Sequence, residues 1–306
     1  MVWYILKRLG MMALTLFFVL LFTFMLMHAI PGGPYSQGKR LPPAIQQAIE
    51  EKYHLNDPLA VQFFDYFKGV LRLDLGPSFK YEGMSVNELI SRGFPISATL
   101  GLCSLFFVIL MGVPLGIFSA LKQGKWQDTS IMFISTIGVT IPSFVAATLL
   151  LYFFAFRLGW FPVYGVNTIK GFVLPALALS GYSLAYITRL MRSSLLDVLG
   201  SDYIRTARVK GLSFPRIITR HGMRNAIIPV VTVIGPLLAG LLMGSFVVEK
   251  IFALPGMGRF FVQSITNRDY TAIMGFTIFY AAILVTVVFL VDILYSVIDP
   301  RIKLDS

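Results

Sequence analysis

The feature that most constrains this 306-residue chain is where its charges are missing: six long stretches contain no Asp, Glu, Lys or Arg. They are residues 9–38, 93–121, 129–156, 171–188, 225–248 and 270–291, with lengths of 30, 29, 28, 18, 24 and 22. A helix rising about 1.5 Å per residue needs about 20 mainly apolar residues to cross a hydrocarbon core of about 30 Å. Five stretches meet that requirement directly. Leu190 and Met191 extend the fourth beyond Arg189, whose guanidinium can snorkel to the interface. All six are too continuously apolar for transmembrane β-strands, which alternate. The expectation is an all-α integral membrane protein with six transmembrane helices. The composition agrees, since charged residues make up 13% of the chain against about 25% in soluble proteins.

Lys7-Arg8 before an apolar run resembles a secretion signal. The run from Leu9 to Met27 nevertheless exceeds the usual apolar core of about 7–15 residues. It ends in His28-Ala29-Ile30-Pro31-Gly32, which lacks an Ala-x-Ala cleavage site. It reads as an uncleaved first helix. Orientation follows from Lys and Arg in the connections. With the N-terminus in the cytoplasm, cytoplasmic segments hold fourteen basic residues and the short outer connections five, Arg157, Lys170, Lys250, Arg259 and Arg268. The other seven lie in residues 31–92, where seven acids balance them. Both termini are therefore expected in the cytoplasm. The formal charge of +11 then reflects topology rather than a nucleic-acid partner.

Three parts follow: residues 1–30 as cytoplasmic N-terminus and first helix, 31–92 as an extracytoplasmic helical insert, and 93–306 as the core with helices 2–6. In the insert, Pro42-Pro43 opens a helical pattern through Ile45, Ala48, Ile49 and Tyr53, which Asn56-Asp57-Pro58 breaks. A second pattern places Phe63, Phe64, Phe67, Val70 and Leu71 on an apolar stripe. Asp74-Leu75-Gly76-Pro77-Ser78 reads as a turn, and Ser85 with Glu88 has capping-box spacing. The insert could be a packing cap or a docking surface for an extracytoplasmic partner.

Residues 189–224 carry eight basic and two acidic residues. A helical tail ends at Gly200, a short helix from Asp202 to Lys210 stops at Gly211, and Phe214-Pro215 starts another helix leading to the fifth span. This segment is either an anchor on anionic headgroups or a rigid short helix presented to the cytoplasm.

Motifs for resident chemistry fail. Gly33-Pro-Tyr-Ser-Gln-Gly38-Lys39 has the spacing of a phosphate-binding loop. Arg40 replaces the magnesium-binding hydroxyl, and Pro42-Pro43 stand where a helix should begin. His28, His54 and His221 show neither metal-ligand spacing nor a triad partner. The lone Cys103 permits no intrachain disulfide and no Cys-based metal site. Asp292, the one acid inside a hydrophobic run, reads as pairing with a basic residue at the interface, so no ion relay is evident. Gly112/Gly116 and Gly240/Gly244 have the spacing for close helix approach. Pro114, Pro142, Pro175, Pro229 and Pro236 begin or interrupt spans.

Asp202-Tyr-Ile-Arg-Thr-Ala-Arg-Val-Lys-Gly211 followed by Arg220-His-Gly-Met-Arg-Asn-Ala-Ile-Ile-Pro229 resembles the cytoplasmic EAA loop of binding-protein-dependent ABC importer permeases. Ala207 and Gly211 match the motif's alanine and glycine. Arg205 stands at its glutamate position, and Pro229 lies farther along than in sugar importers, departures usual for the oligopeptide/dipeptide/nickel branch. Tyr53-His-Leu-Asn-Asp-Pro58, Asp74-Leu-Gly-Pro-Ser78, Glu249-Lys-Ile-Phe-Ala-Leu-Pro-Gly-Met-Gly258, Asn267-Arg-Asp-Tyr270 and Val297-Ile-Asp-Pro300-Arg301 extend the resemblance along the whole chain. Together with the length of the insert, they are similar to the B-type permease subunit of an oligopeptide importer.

The resemblance implies a homologous second permease, two ATPase subunits and an extracytoplasmic peptide-binding protein, assembled in the bacterial cytoplasmic membrane. Peptides would be moved by alternating access, with ATP and Mg held on the ATPases and no catalytic, cofactor or metal site on this chain. Coupling to an ATPase would fall to Tyr203, Arg205, Thr206, Ala207, Arg208, Lys210 and Gly211. The outer gate or binding-protein contact would fall to Glu249, Pro255, Gly256, Gly258, Arg268 and Asp269. Same-family permeases for dipeptides, nickel or another small solute are the alternative. An ion-coupled carrier would need an intramembrane charge pair, and a membrane enzyme a cluster of catalytic acids or histidines; neither pattern is present in the sequence.

Overall fold

The longest helices run through the charge-free stretches, but helix ends are set by local chemistry. The computed structural model describes residues 2–29, 57–81, 83–165 and 168–298. The helix expected from Pro42 to Tyr53, the Gly33–Lys39 loop and His54 lie outside the described residues. α1 (Val2–Ala29), α2 (Leu59–Leu71), α3 (Val86–Leu121), α4 (Trp126–Thr140), α5 (Ser143–Arg157) and α6 (Lys170–Leu199) make up the first part. α7 (Asp202–Val209), α8 (Phe214–Ala226), α9 (Ile228–Leu242), α10 (Phe246–Ile251), α11 (Met257–Thr266) and α12 (Tyr270–Ile298) follow. Outside these helices, a single isolated antiparallel bridge joins Pro77 and Ser85 among the described residues.

α3 starts at the expected capping box. The Glu88 N–H donates to Ser85 Oγ and the Ser85 N–H to Glu88 Oε2, both at 3.2 Å. α1, α3, α6 and α12 are each long and apolar enough to cross a membrane. The third and fifth charge-free stretches do not form straight helices: α4 and α5 meet at 104°, and α8 and α9 at 46°. Among the described residues, four helices could span by length and composition, or up to six spans could form if each bent pair is one.

The sharper break has a backbone cause. Ile141, preceding Pro142, is extended (φ −78°, ψ 120°), because proline's ring disfavours the helical region for the residue before it. Pro142 is extended as well (ψ 142°) and begins α5 as its N-cap. Pro175 and Pro236 sit inside continuous helices instead.

Two compact units organise the described residues, one from those up to Pro95 and Gly256–Thr286, the other from those in Ile96–Pro255 and from Val287 onward. In the first, Phe17 and Phe24 of α1 meet Phe63 of α2 edge to face at 6.0 and 5.4 Å between ring centres. His28 Nε2 lies 3.3 Å from Gln62 Oε1. The inward stripe of α2 is narrower than expected: Phe63 is buried and Phe67 packs beside it, whereas Phe64 and Leu71 are exposed. Residues 64 and 71 each follow an inward position by one step of about 100°, which turns them off that face.

In the second unit, α4, α5 and α9 pack on α6. Gly112 and Gly116 let α3 approach α6; a Cβ on Gly116 would lie 2.6 Å from the Thr188 carbonyl oxygen. The other glycine pair behaves differently. Gly240 has nothing within 4 Å, and Gly244 lies past the end of α9 with φ +73°. Its role is described below.

Candidate functional site

α7 begins just after α6. Gly200 closes α6 with its N–H on the Leu196 carbonyl at 3.1 Å, and Ser201 (ψ 153°) turns the chain into the next helix. On α7, Ile204 and Ala207 face inward, three apart and therefore on one side. They are buried with Ile217 of α8, against Val198, Leu199 and Leu212. At the other end, the Gly211 N–H donates to the Arg208 carbonyl at 3.0 Å and the Leu212 N–H to the Ala207 carbonyl at 3.2 Å. This is a Schellman cap with glycine in the left-handed region (φ +76°) and its usual apolar contact, here Leu212 with Ala207.

Of the seven residues assigned to coupling, Ala207 is structural, one wall of the seat. Gly211 shapes the end of the helix. Tyr203 is exposed yet anchored, accepting a 2.8 Å hydrogen bond from Asn225 Nδ2 of α8. Arg205, Thr206, Arg208 and Lys210 project outward. Arg205 pairs with Asp202 at 3.4 Å across one turn, both well exposed, so the pair contributes about 0.5 kcal/mol or less. Val209 is 89% exposed, an apolar tip among these cations. α8 winds with π geometry over Ile217–Gly222, burying Ile217, Ile218 and Gly222 while Arg216 and Arg220 stay exposed.

A second polar cluster lies within the same unit. The buried Asp128 carboxylate of α4 accepts from Arg192 Nε and Nη2 of α6, both at 2.7 Å. It also accepts from the Gly124 N–H at 3.0 Å and from Ser119 Oγ at the end of α3. Asp128 carries little signal in the sequence. Its only local signal was an acid in the first turn of a helix otherwise free of charge.

The six residues assigned to an outer contact divide between the two units. Glu249 and Asp269 are fully buried, so neither presents its carboxylate to a partner's surface. Glu249, in α10, accepts from Ser97 Oγ at 2.7 Å. Gly244 makes room for it: a Cβ there would fall 2.2 Å from Glu249 Oε1, and the positive φ adds backbone strain to any substitution.

Asp269 sits at the N-terminus of α12, where its carboxylate accepts the Ala272 N–H at 3.2 Å as an N-cap. The same group accepts from Ser78 Oγ, from the Phe79 N–H at 3.2 Å and from the Lys80 N–H at 3.3 Å. It thereby staples residues 78–80 to the α11–α12 corner. Tyr81 beside it donates to Gln263 and meets the Phe260 ring edge to face. Burial pushes the Tyr81 phenol above its usual range, opposed by the Arg259 charge and reinforced by Asp269. Arg268 takes a left-handed conformation (φ +55°) in this corner. Pro255 is exposed, while Gly256 and Gly258 are buried at the start of α11. Among the described residues, no three His, Cys, Asp or Glu side chains gather where they could hold a metal ion.

Comparison with known proteins gives a consistent set of relatives. Residues 112–304 match the family described as binding-protein-dependent transport system inner membrane component, and residues 1–101 match its N-terminal companion. The dipeptide transport system permease protein DppB of Bacillus subtilis (strain 168) is 46% identical over 98% of both chains. The oligopeptide transport system permease protein OppB of Escherichia coli (strain K12) is 44% identical over 94% of this chain and 95% of its own. Among solved structures, the MetNI methionine ABC transporter in an inward-facing conformation aligns with a TM-score of 0.56 at 19% identity, over 71% of this chain and 100% of that one. The likeness at that identity is one of fold.

Proposed function

This chain belongs to the binding-protein-dependent transport system inner membrane component family, and from that premise we propose that it is the permease subunit of an ATP-binding-cassette importer carrying oligopeptides or dipeptides into the cytoplasm. The observation that carries the reading is α7, a capped short helix with an outward basic and apolar face, in a chain 44–46% identical to peptide permeases end to end. A partner that moves this helix moves α6 with it, because only Gly200 and Ser201 separate them.

In the assembly we propose, a homologous permease completes the path, two ATPase subunits hold ATP and Mg, and a binding protein delivers peptide from outside. α7 lies on the cytoplasmic side, with Val209, Arg205, Arg208 and Lys210 against an ATPase. Each bent pair counts as one span, giving six spans in the bacterial cytoplasmic membrane with both termini in the cytoplasm. Four spans would also leave the termini on one side; five would not. The corner stapled by Asp269 lies outside, where Pro255 and the exposed parts of residues 57–92 face the binding protein. DppB and OppB relatives match at nearly equal identity, so peptide length is a question for uptake.

The test is reconstitution of the complete complex in liposomes with its binding protein, and uptake of labelled dipeptides and pentapeptides. ATP-dependent accumulation of peptide is expected. An assembled complex that hydrolyses ATP in the presence of loaded binding protein yet accumulates neither peptide would overturn the reading.

A further inference from the structure

We infer that Asp128 and Arg192 form a positioning clasp that ties the α3–α4 turn to α6, so that displacement of α7 reaches α3 and α4 as well as α6; the inference rests on the permease reading above. One carboxylate gathers four donors from three places: both Arg192 nitrogens from α6, the Gly124 N–H from the turn, and Ser119 Oγ from the end of α3. The Asp128 side chain is 6% exposed and that of Arg192 26%, so solvent does little to loosen the pair.

Its position on α6 gives the clasp a mechanical role. α6 runs without interruption from Arg192 to Leu199, and α7 starts at Asp202. Two residues beyond Arg192, Ser194 Oγ donates to the Ala226 carbonyl at 2.9 Å, fastening α6 to the end of α8. Asn225, beside Ala226, donates to Tyr203 on α7. The last turns of α6 are thus gripped on one side by the α3–α4 turn and on the other by the helix that holds α7.

Stability alone does not account for an ion pair here. Burying two charges is costly, and well-packed apolar side chains of similar volume generally do as well or better. A two-point guanidinium–carboxylate contact supplies a fixed distance and a fixed angle between two helices, which an apolar contact does not. That is the property needed for one helix to carry another with it.

Arg192→Lys is the discriminating variant. It keeps the positive charge, and therefore the neutrality of the buried site, but cannot make the paired bonds. In proteoliposomes containing the complete complex, two quantities are read: retention of the ATPase subunits, and peptide imported per ATP hydrolysed. The expected result is an assembled complex whose import per ATP falls at least about fivefold, the lower end of ordinary coupling between sites. Asp128→Asn should fall further. An assembled Arg192→Lys complex with wild-type import per ATP overturns the clasp. So does an equal fall in uptake and hydrolysis, which would mark the pair as merely structural. A wild-type complex that hydrolyses ATP without importing peptide overturns the permease reading instead, and the clasp's role with it.

Discussion

The α6–α8 joint and the α11–α12 corner both hold a short connection still, and they do so by opposite means. α7 rests on Ile204, Ala207 and Ile217 and is closed by backbone hydrogen bonds, with its own charged side chains all outside. The corner puts its charge inside: Asp269 is fully buried and organises residues 78–80 around itself. An apolar seat is adaptable and leaves the opposite face free to evolve toward a partner. A buried carboxylate with several directional donors is rigid, and it fails as a whole when one member is lost. The corner is thus built to keep its shape, and α7 to keep one face exposed.

The contrast is broken or sharpened by four substitutions. Asp269→Ala should have the largest effect on the fold. It takes the acceptor from Ser78 Oγ and from the Ala272 N–H and detaches the Phe79 and Lys80 N–H groups from the corner, at about 1–3 kcal/mol for each donor left without water or a partner. Thermal unfolding of the purified subunit should shift down sharply, with new protease cleavage near residues 78–80. Ala207→Leu forces extra volume into the seat and should cost about 1–3 kcal/mol, visible as local hydrogen exchange in α7 rather than global unfolding.

Gly211→Val meets no steric obstacle, since nothing lies within 4 Å of the added Cβ. The left-handed backbone alone costs about 1–2 kcal/mol. The end of α7 should fray, and import per ATP should fall in reconstituted complexes. Val209→Ser, on the exposed tip, should change stability by about 0.5 kcal/mol or less. It should nevertheless loosen the ATPase subunits about tenfold, measured by titrated reassembly, because burying a valine at an interface contributes about 1.5 kcal/mol. If Val209→Ser lowers the unfolding temperature sharply, or Asp269→Ala does not, the contrast between the two regions is wrong.

The parts legible in the sequence are those determined by neighbours along the chain. The capping box at Ser85 and Glu88 and the glycines that end α6 and α7 are decided within four or five residues, and the structure has them as expected. Charge-free stretches likewise mark where spans can lie. They do not say whether a proline will break the helix: Pro142 does so, while Pro175 is accommodated within α6.

Pairings across distance were illegible. Asp128 and Arg192 lie 64 positions apart, Ser97 and Glu249 152, and Ser78 and Asp269 191. The family resemblance implies an outer gate or binding-protein contact for Glu249 and Asp269, yet both carboxylates are fully buried. Their burial depends on a serine supplied from another part of the fold, and no local pattern announces it. Gly244 does lie close to Ser97 of α3, but past the end of its own helix and with a second reason for being glycine. Its spacing suits helix packing, and the tightest demand on it is to leave room for a carboxylate five residues on.

The small seat beneath α7 has a consequence for engineering. Because Ile204, Ala207 and Gly211 keep the helix in place, the outward positions 205, 206, 208, 209 and 210 are separable from folding, and on the proposed reading they would carry recognition of the ATPase. Exchanging those five side chains for another permease's set should re-address this subunit to that permease's ATPase. Two importers in one cell could then be wired to different motors, or share one, by editing a single helical face.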